Sequence, residues 1–332
     1  MPKNNGQMPV VTPQQVALSS PLKATSRRIR ARPPVGIALL PDESAVIRPQ
    51  NAPVGQDFNF PNNPGTSTSL SFHGGAIATG VPVQLIFWGS IWNQPSTSPS
   101  MGELINAVQK VLAGPFMSAL RQYGIRRSPF RGAIVVTSPE PPVIPDTFTD
   151  ISSFENSGTI EHLVNALIND GKFPEPDEDG GRNIYCVFMP PNTRYDGGPG
   201  VTGAHTSFTS GSIVDVDTAW YAWVGNGPLA TMTRTFGHEL VETCTDPEGD
   251  GWTIDGVPTT SNEIGDICNQ NTNIVNGVTL EPYWSIFDRE CVLPTSFFVR
   301  RTLAFAGKKL NGKGILSLQS SIPSLNEFIS RL

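Results

Sequence analysis

Cysteine is scarce in this chain. The four present, Cys186, Cys244, Cys268 and Cys291, include no C-x-x-C pair, which excludes a cysteine zinc knuckle. Long apolar runs are missing too: none reaches the ~18 residues that a membrane-spanning helix needs. The N-terminal stretch before Val35 holds no apolar core of the kind a secretory signal carries, so the sequence predicts no signal peptide. Nor is there an excess of positive charge. The formal net charge is -6, which removes the global electrostatic signature of a nucleic-acid binder. Hydrophobic residues make up 38%, against about 45–50% in an average globular chain. The 32 glycines and 31 prolines take up the difference, so the composition describes a loop-rich globular protein.

Residues 1–66 hold 11 of the 31 prolines, and Arg27, Arg28, Arg30 and Arg32 make the segment basic. It reads as a disordered, proline-rich leader that proteolysis should trim. Order is expected from about residue 67. Residues 81–88, "VPVQLIFW", form a strand bounded by Gly80 and Gly89. Leu104, Ile105, Val108, Val111 and Leu112 have helical spacing, interrupted at Gly114-Pro115. "GAIVVT" is a buried strand, "TIEHLVNALINDG" a helix stopped by Gly171, and "RNIYCVFMP" the next strand. The alternation predicts an α/β domain over 67–297, with a central sheet and flanking helices. After another strand region, "SIVDVDTAWYAWVG", a helix of metal-binding type is expected over 231–244. A hairpin-rich part follows, marked by Asp255-Gly256 and Asn276-Gly277. That second turn should bring Cys268 and Cys291 within bridging distance, whereas Cys186 and Cys244 read as buried thiols. Residues 298–332 form a basic, then amphipathic tail.

The chemistry concentrates in "FGHELVETCTDPEGDGW". His238 and Glu242 are four apart, so on a helix they share a face and can meet one ion. Glu239 is rotated by about 100°, where it can reach a metal-bound water as a general base. A catalytic zinc usually takes three protein ligands. Glu263 and Asp266 stand three apart amid Ile264 and Ile267, so at least one carboxylate faces inward, and either supplies the third ligand. His205, in a loop-like "GAHTSF", is a further ligand or a transition-state donor. Trp220, Trp223 and Trp252 are candidate walls of a cleft. The alternative for the helix is a capped surface helix with ordinary acidic residues. Asp246, Glu248 and Asp250 match the opening of a calcium loop, but Val257 stands where an EF-hand needs its closing glutamate. The competing reading there is a solvated turn.

Several stretches resemble the Exordium family, also called phosphate-induced proteins: "FHGGAI", "VPVQLIFWGSIW", "GAHTSF", "YAWVGN", "GHELVETCTDP…GW" and "EIGDIC". They occur in the family's order across about 68 to 293. The resemblance implies an α/β domain, an extracellular setting and a motif carried by His238, Glu239, Glu242, Glu263 and Asp266. The chain departs from it in lacking a signal peptide and in its basic tail, so a cytoplasmic setting is the alternative. Two functions follow. One is a zinc-dependent, peptidase-like hydrolase, with Glu239 as base and His205 as oxyanion donor. The other is a non-catalytic extracellular or wall-associated signalling module, braced by the same metal site and facing a peptide or cell-surface ligand.

Overall fold

The computed structural model describes residues 13–18, 30–31, 36–39, 70–141, 160–174, 176, 182–191, 201–211, 216–255, 262–268 and 272–294. The tail 298–332 lies outside them. Ten strands come first in chain order: β1 (Gln14–Ala17), β2 (Arg30–Ala31), β3 (Gly36–Leu39), β4 (Leu70–Phe72), β5 (Val83–Trp88), β6 (Phe130–Ser138), β7 (Ile184–Phe188), β8 (Val201–Gly211), β9 (Val216–Val224) and β10 (Trp252–Ile254). Eight of them build one mixed sheet in the order β1-β6-β5-β7-β9-β8-β2, with β3 also pairing β8. From β1 to β9 the neighbours are parallel; β8 runs antiparallel to β9, and β2 and β3 antiparallel to β8.

Parallel strands need covered faces, and β5 shows both. Val83, Leu85 and Phe87 point into one core, with helix α1 (Met101–Ala113) and the 3-10 turn Phe116–Tyr123. Ile86 and Trp88 point into another, beneath helix α2 (Ile160–Asn169). Helix α1 opens with a reciprocal cap between Ser100 and Glu103 and stops at Gly114, next to the expected Gly-Pro interruption. The third helix, α3 (Leu229–Thr245), lies against β8 and β9. Two hairpins finish the described chain: β11 (Asn273–Val275) with β12 (Val278–Leu280), and β13 (Tyr283–Ser285) with β14 (Glu290–Val292). The first turns at Asn276-Gly277, both with positive φ, as that dipeptide leads one to expect.

Three expectations need correction. The leader is not without structure, because β1, β2 and β3 all join the main sheet; its remaining residues lie outside the described ones. Ladder pairing with distant strands overrides the local proline signal there. Trp220 and Trp223 do not share a wall. An odd spacing on β9 sends them to opposite faces, one into each core, and Trp252 packs on Phe72 and Tyr123 instead. Asp255-Gly256 does not fold β10 onto a following strand among the described residues; β10 pairs with β4.

Cys268 and Cys291 form a disulfide with a Cα separation of 5.6 Å, and Cys186 and Cys244 are buried free thiols. The bridge closes a loop spanning 23 residues, so reduction should cost about 3 kcal/mol of stability by loop-closure entropy. Denaturant midpoints with and without reductant check this, and an unchanged midpoint contradicts it.

Candidate metal centre

Helix α3 is buried all round from Met232 to Thr245, which a surface helix is not, so its polar residues need internal partners. Three of them form a stripe at four-residue spacing: Arg234, His238 and Glu242. His238 Nε2 lies 3.1 Å from Glu242 Oε1 and 3.6 Å from Asp266 Oδ1. The other imidazole nitrogen, Nδ1, contacts Glu281, whose second oxygen accepts from Arg234 Nε at 2.6 Å. Such an outer carboxylate fixes the ring's orientation and leaves Nε2 to face the cluster.

Asp266 comes from a 3-10 turn, Asp266–Cys268, held in place by the disulfide and by Trp284 N donating to Ile264 O at 2.8 Å. Its backbone N–H donates to Glu242 Oε1 at 3.0 Å. Gly265 makes the approach possible. A Cβ there would stand 2.6 Å from Glu242 Oε1 and 3.1 Å from His238 Nδ1. Gly265→Ala should therefore leave the protein folded but weaken metal binding by about 10–100-fold, the range seen when ligand-orienting contacts are lost. Isothermal titration with zinc reads this directly, and an unchanged affinity contradicts it.

His205, on β8, closes the other side. Its Nδ1 is 3.2 Å from Glu239 Oε2 and 3.6 Å from Glu242 Oε2; its Nε2 is 3.3 Å from Glu263 Oε1 and 3.3 Å from the Asp246 carbonyl. Two groups of ligand atoms thus converge, each within 4.8 Å: His238, Glu242 and Asp266, and His205, Glu242 and Glu263. Glu242 belongs to both. His205, His238, Glu239, Glu242, Glu263 and Asp266 are brought together, with His205 on a strand rather than in a loop. Glu281 and Arg234 were not anticipated. Arg234 had a signal, four residues before His238 on the same helix face; Glu281 had only its place between Leu280 and Pro282.

Six carboxyl groups, those of Glu239, Glu242, Asp246, Glu263, Asp266 and Glu281, surround one guanidinium and two imidazoles, nearly all of them fully buried. The contacts of His238 Nε2 with Glu242 and Asp266, and of His205 Nε2 with Glu263, are close enough for charge attraction but misdirected for hydrogen bonds. His238 Nε2, Glu242 Oε2 and both Glu263 oxygens have no hydrogen-bond partner. Buried lone pairs left unmet are costly, and a divalent cation would meet them at once. These buried His, Glu and Asp residues can hold a metal ion.

The titration of the cluster shows the same crowding. Burial, then the charge of Asp266, pushes Glu242 up to about 7 against the pull of His238. Burial raises Glu263 well above the usual carboxyl range despite His205. Burial alone would lower both imidazoles, but the surrounding carboxylates outweigh it and hold His205 and His238 well above the ordinary value. For Glu281, burial is more than offset by Arg234 and His238, so it stays ionised. Raised values contribute stability that is complete below the unfolded pKa and lost as pH rises through the folded one. For Glu242 that window runs from 4.5 to about 7. Chelator-treated protein should therefore lose stability as pH rises from 4.5 to about 7, whereas bound metal, which takes deprotonated ligands, should recover more at the upper end. Melting temperatures with and without zinc across this range test the sign, and a pH-independent metal effect contradicts it.

The calcium-like residues do something else. Asp246 Oδ1 accepts from Gly251 N at 2.7 Å, closing the turn after α3, and Glu248 Oε1 accepts from the Trp220 indole at 3.0 Å. Asp250 is exposed, and the converging ligand groups among the described residues include none of the three. Also among the described residues, no helix is long and apolar enough to cross a membrane. No family model, curated protein or solved structure matches the chain.

Proposed function

We propose that the protein is a zinc-dependent hydrolase acting on peptide-like bonds. The observation that carries this reading is the convergence of unpartnered buried ligand atoms beside Glu239, a carboxylate one helical step off the ligand face. His238 Nε2, Glu242 and Asp266 are the preferred zinc ligands. Glu281 already anchors the other face of His238, whereas both nitrogens of His205 are engaged, by Glu239 and by the Asp246 carbonyl. Zinc held there would supply Lewis acidity toward a water and a carbonyl oxygen.

Glu239 takes the proton of the attacking water and returns it to the leaving amine. His205 Nδ1, 3.2 Å from Glu239 Oε2, orients that carboxylate. This contact favours a positioning role over oxyanion donation, which would require the ring to leave Glu239. Asp266 and Glu242 are braced by the backbone N–H contact between them and so keep one geometry during the reaction.

A second reading has an observation of its own. One imidazole with two carboxylates leaves a site of formal charge near zero, and Glu281 adds electron density to His238, so a bound water is acidified less than by three neutral histidines. A structural metal in an extracellular signalling or wall-associated module fits that donor set, and the disulfide fits an oxidising compartment for either function. Glu239→Gln separates the two when metal content and cleavage of an unfolded polypeptide are both measured. Metal retained with cleavage lost supports the hydrolase. No cleavage by either protein with zinc bound supports the structural module, and cleavage equal to wild type removes Glu239 from the chemistry.

A further inference from the structure

The metal cluster raises a problem of access. His205, His238, Glu239, Glu242 and Glu263 are each no more than 1% exposed. What lies next to them is the end of the sheet. Strand β8 pairs β9 along one side from Gly203 to Gly211. Among the described residues, its other side at Val201–His205 is covered by β3, four residues drawn from the N-terminal region, in antiparallel register: Gly36 opposite His205, Ile37 opposite Ala204, Ala38 opposite Gly203 and Leu39 opposite Val201.

Two of those β8 positions touch the proposed base. His205 contacts Glu239 directly. At Gly203 a Cβ would stand 2.5 Å from Thr235 Cγ2 and 3.0 Å from Glu239 Oε1, so the absent side chain lets β8 run flush against α3. A strand added to this edge lies about 4.8 Å from β8. In keeping with that, β3 runs beside both α3 and the Asp266–Cys268 turn. A chain in the β3 position therefore runs beside the helix and the turn that carry the cluster.

The pairing is short by construction. Pro33 and Pro34 precede β3 and Pro41 follows it, and proline cannot donate to a ladder. The ladder is also irregular between Ala38 and Leu39. A four-residue strand with prolines close on both sides is a weak occupant of an edge that offers backbone groups to any extended chain.

We propose that the β8 edge from Val201 to His205 is a binding site for an extended polypeptide, which adds as an antiparallel strand, and that Gly36–Leu39 occupies this site as an intramolecular, self-inhibiting ligand. The word substrate for the incoming peptide rests on the hydrolase reading; the binding site itself rests on the strand geometry.

The test uses the full chain carrying Glu239→Gln, so that a bound peptide is not consumed, with and without Ile37→Pro plus Ala38→Pro. Two successive prolines remove both backbone donors at the centre of β3, whichever of them faces β8. The probe is a fluorescent synthetic peptide of residues 33–42, PPVGIALLPD, read by anisotropy. Removing a tethered competitor present at about millimolar effective concentration should tighten peptide binding by about tenfold or more. In the chain with Glu239 intact, the two prolines should speed cleavage of unfolded polypeptide by a similar factor. A proline variant that melts cooperatively but binds the peptide no better overturns the proposal, whatever cleavage shows. Tighter binding without cleavage in any background keeps the binding site and removes the hydrolase. Hydrogen exchange on the unaltered chain gives an answer independent of the variant's folding. Excess peptide should expose the amides of Gly36–Leu39, and their continued protection at saturating peptide overturns the proposal.

Discussion

Glu239→Gln should bind zinc as tightly as the unaltered protein and cleave polypeptide about 10²–10⁴-fold more slowly, the usual contribution of a positioned general base. The amide keeps the shape of the side chain and can still take a hydrogen bond from His205 Nδ1 through its oxygen, so the surroundings have no reason to rearrange. What it loses is the ability to accept a proton. The ligand face of α3 is untouched, because His238 and Glu242 lie one helical step away. Exchanging one of six crowded carboxylates for a neutral amide also lowers the local repulsion, so the melting temperature should hold or rise. A variant that loses metal together with activity would make Glu239 a ligand rather than a base. One that keeps full activity would remove it from the chemistry.

Chelation should lower the melting temperature by on the order of 10 °C. A ligand present at about a thousand times its dissociation constant stabilises by roughly 4 kcal/mol, and a domain of this size shifts about 2–4 °C per kcal/mol. The physical source is the excess of buried carboxylates over Arg234 and the two imidazoles. Without a cation they must take up protons or tolerate their own repulsion, as the rise of Glu242 to about 7 shows. His238→Ala should reproduce the loss and make the protein insensitive to chelator. It also strips Glu281 of one partner and leaves it on Arg234 alone. A chelator that leaves the unaltered protein's melting temperature unchanged contradicts the site.

Much of this was legible from residue spacing. The strands at 83–88, 130–138 and 184–188 and the three helices announced themselves through period and through Gly and Pro stops, because their burial is set by local pattern. The same logic located the site. His238 and Glu242 share a helix face, and Glu263 with Asp266 stood out as acids inside an apolar frame. The bridge between Cys268 and Cys291 followed from a turn dipeptide. Contacts made only in space were hidden. Glu281 reaches His238 across 43 positions of sequence and Arg234 across 47. Strands β1, β2 and β3 are defined by ladders to β6 and β8, whose hydrogen bonds leave no period in so short and proline-rich a segment. The three tryptophans looked like neighbours because they are near in sequence, and strand alternation separated two of them.

The central claim is that α3, β8 and the Asp266 turn enclose a divalent metal. Elemental analysis of the purified full chain tests it most directly, with His238→Ala and Asp266→Asn prepared in parallel. The account predicts one zinc per unaltered chain, retained through gel filtration, and far less than one in either variant. Purified protein without stoichiometric metal, which also fails to take up zinc when it is supplied, would contradict it.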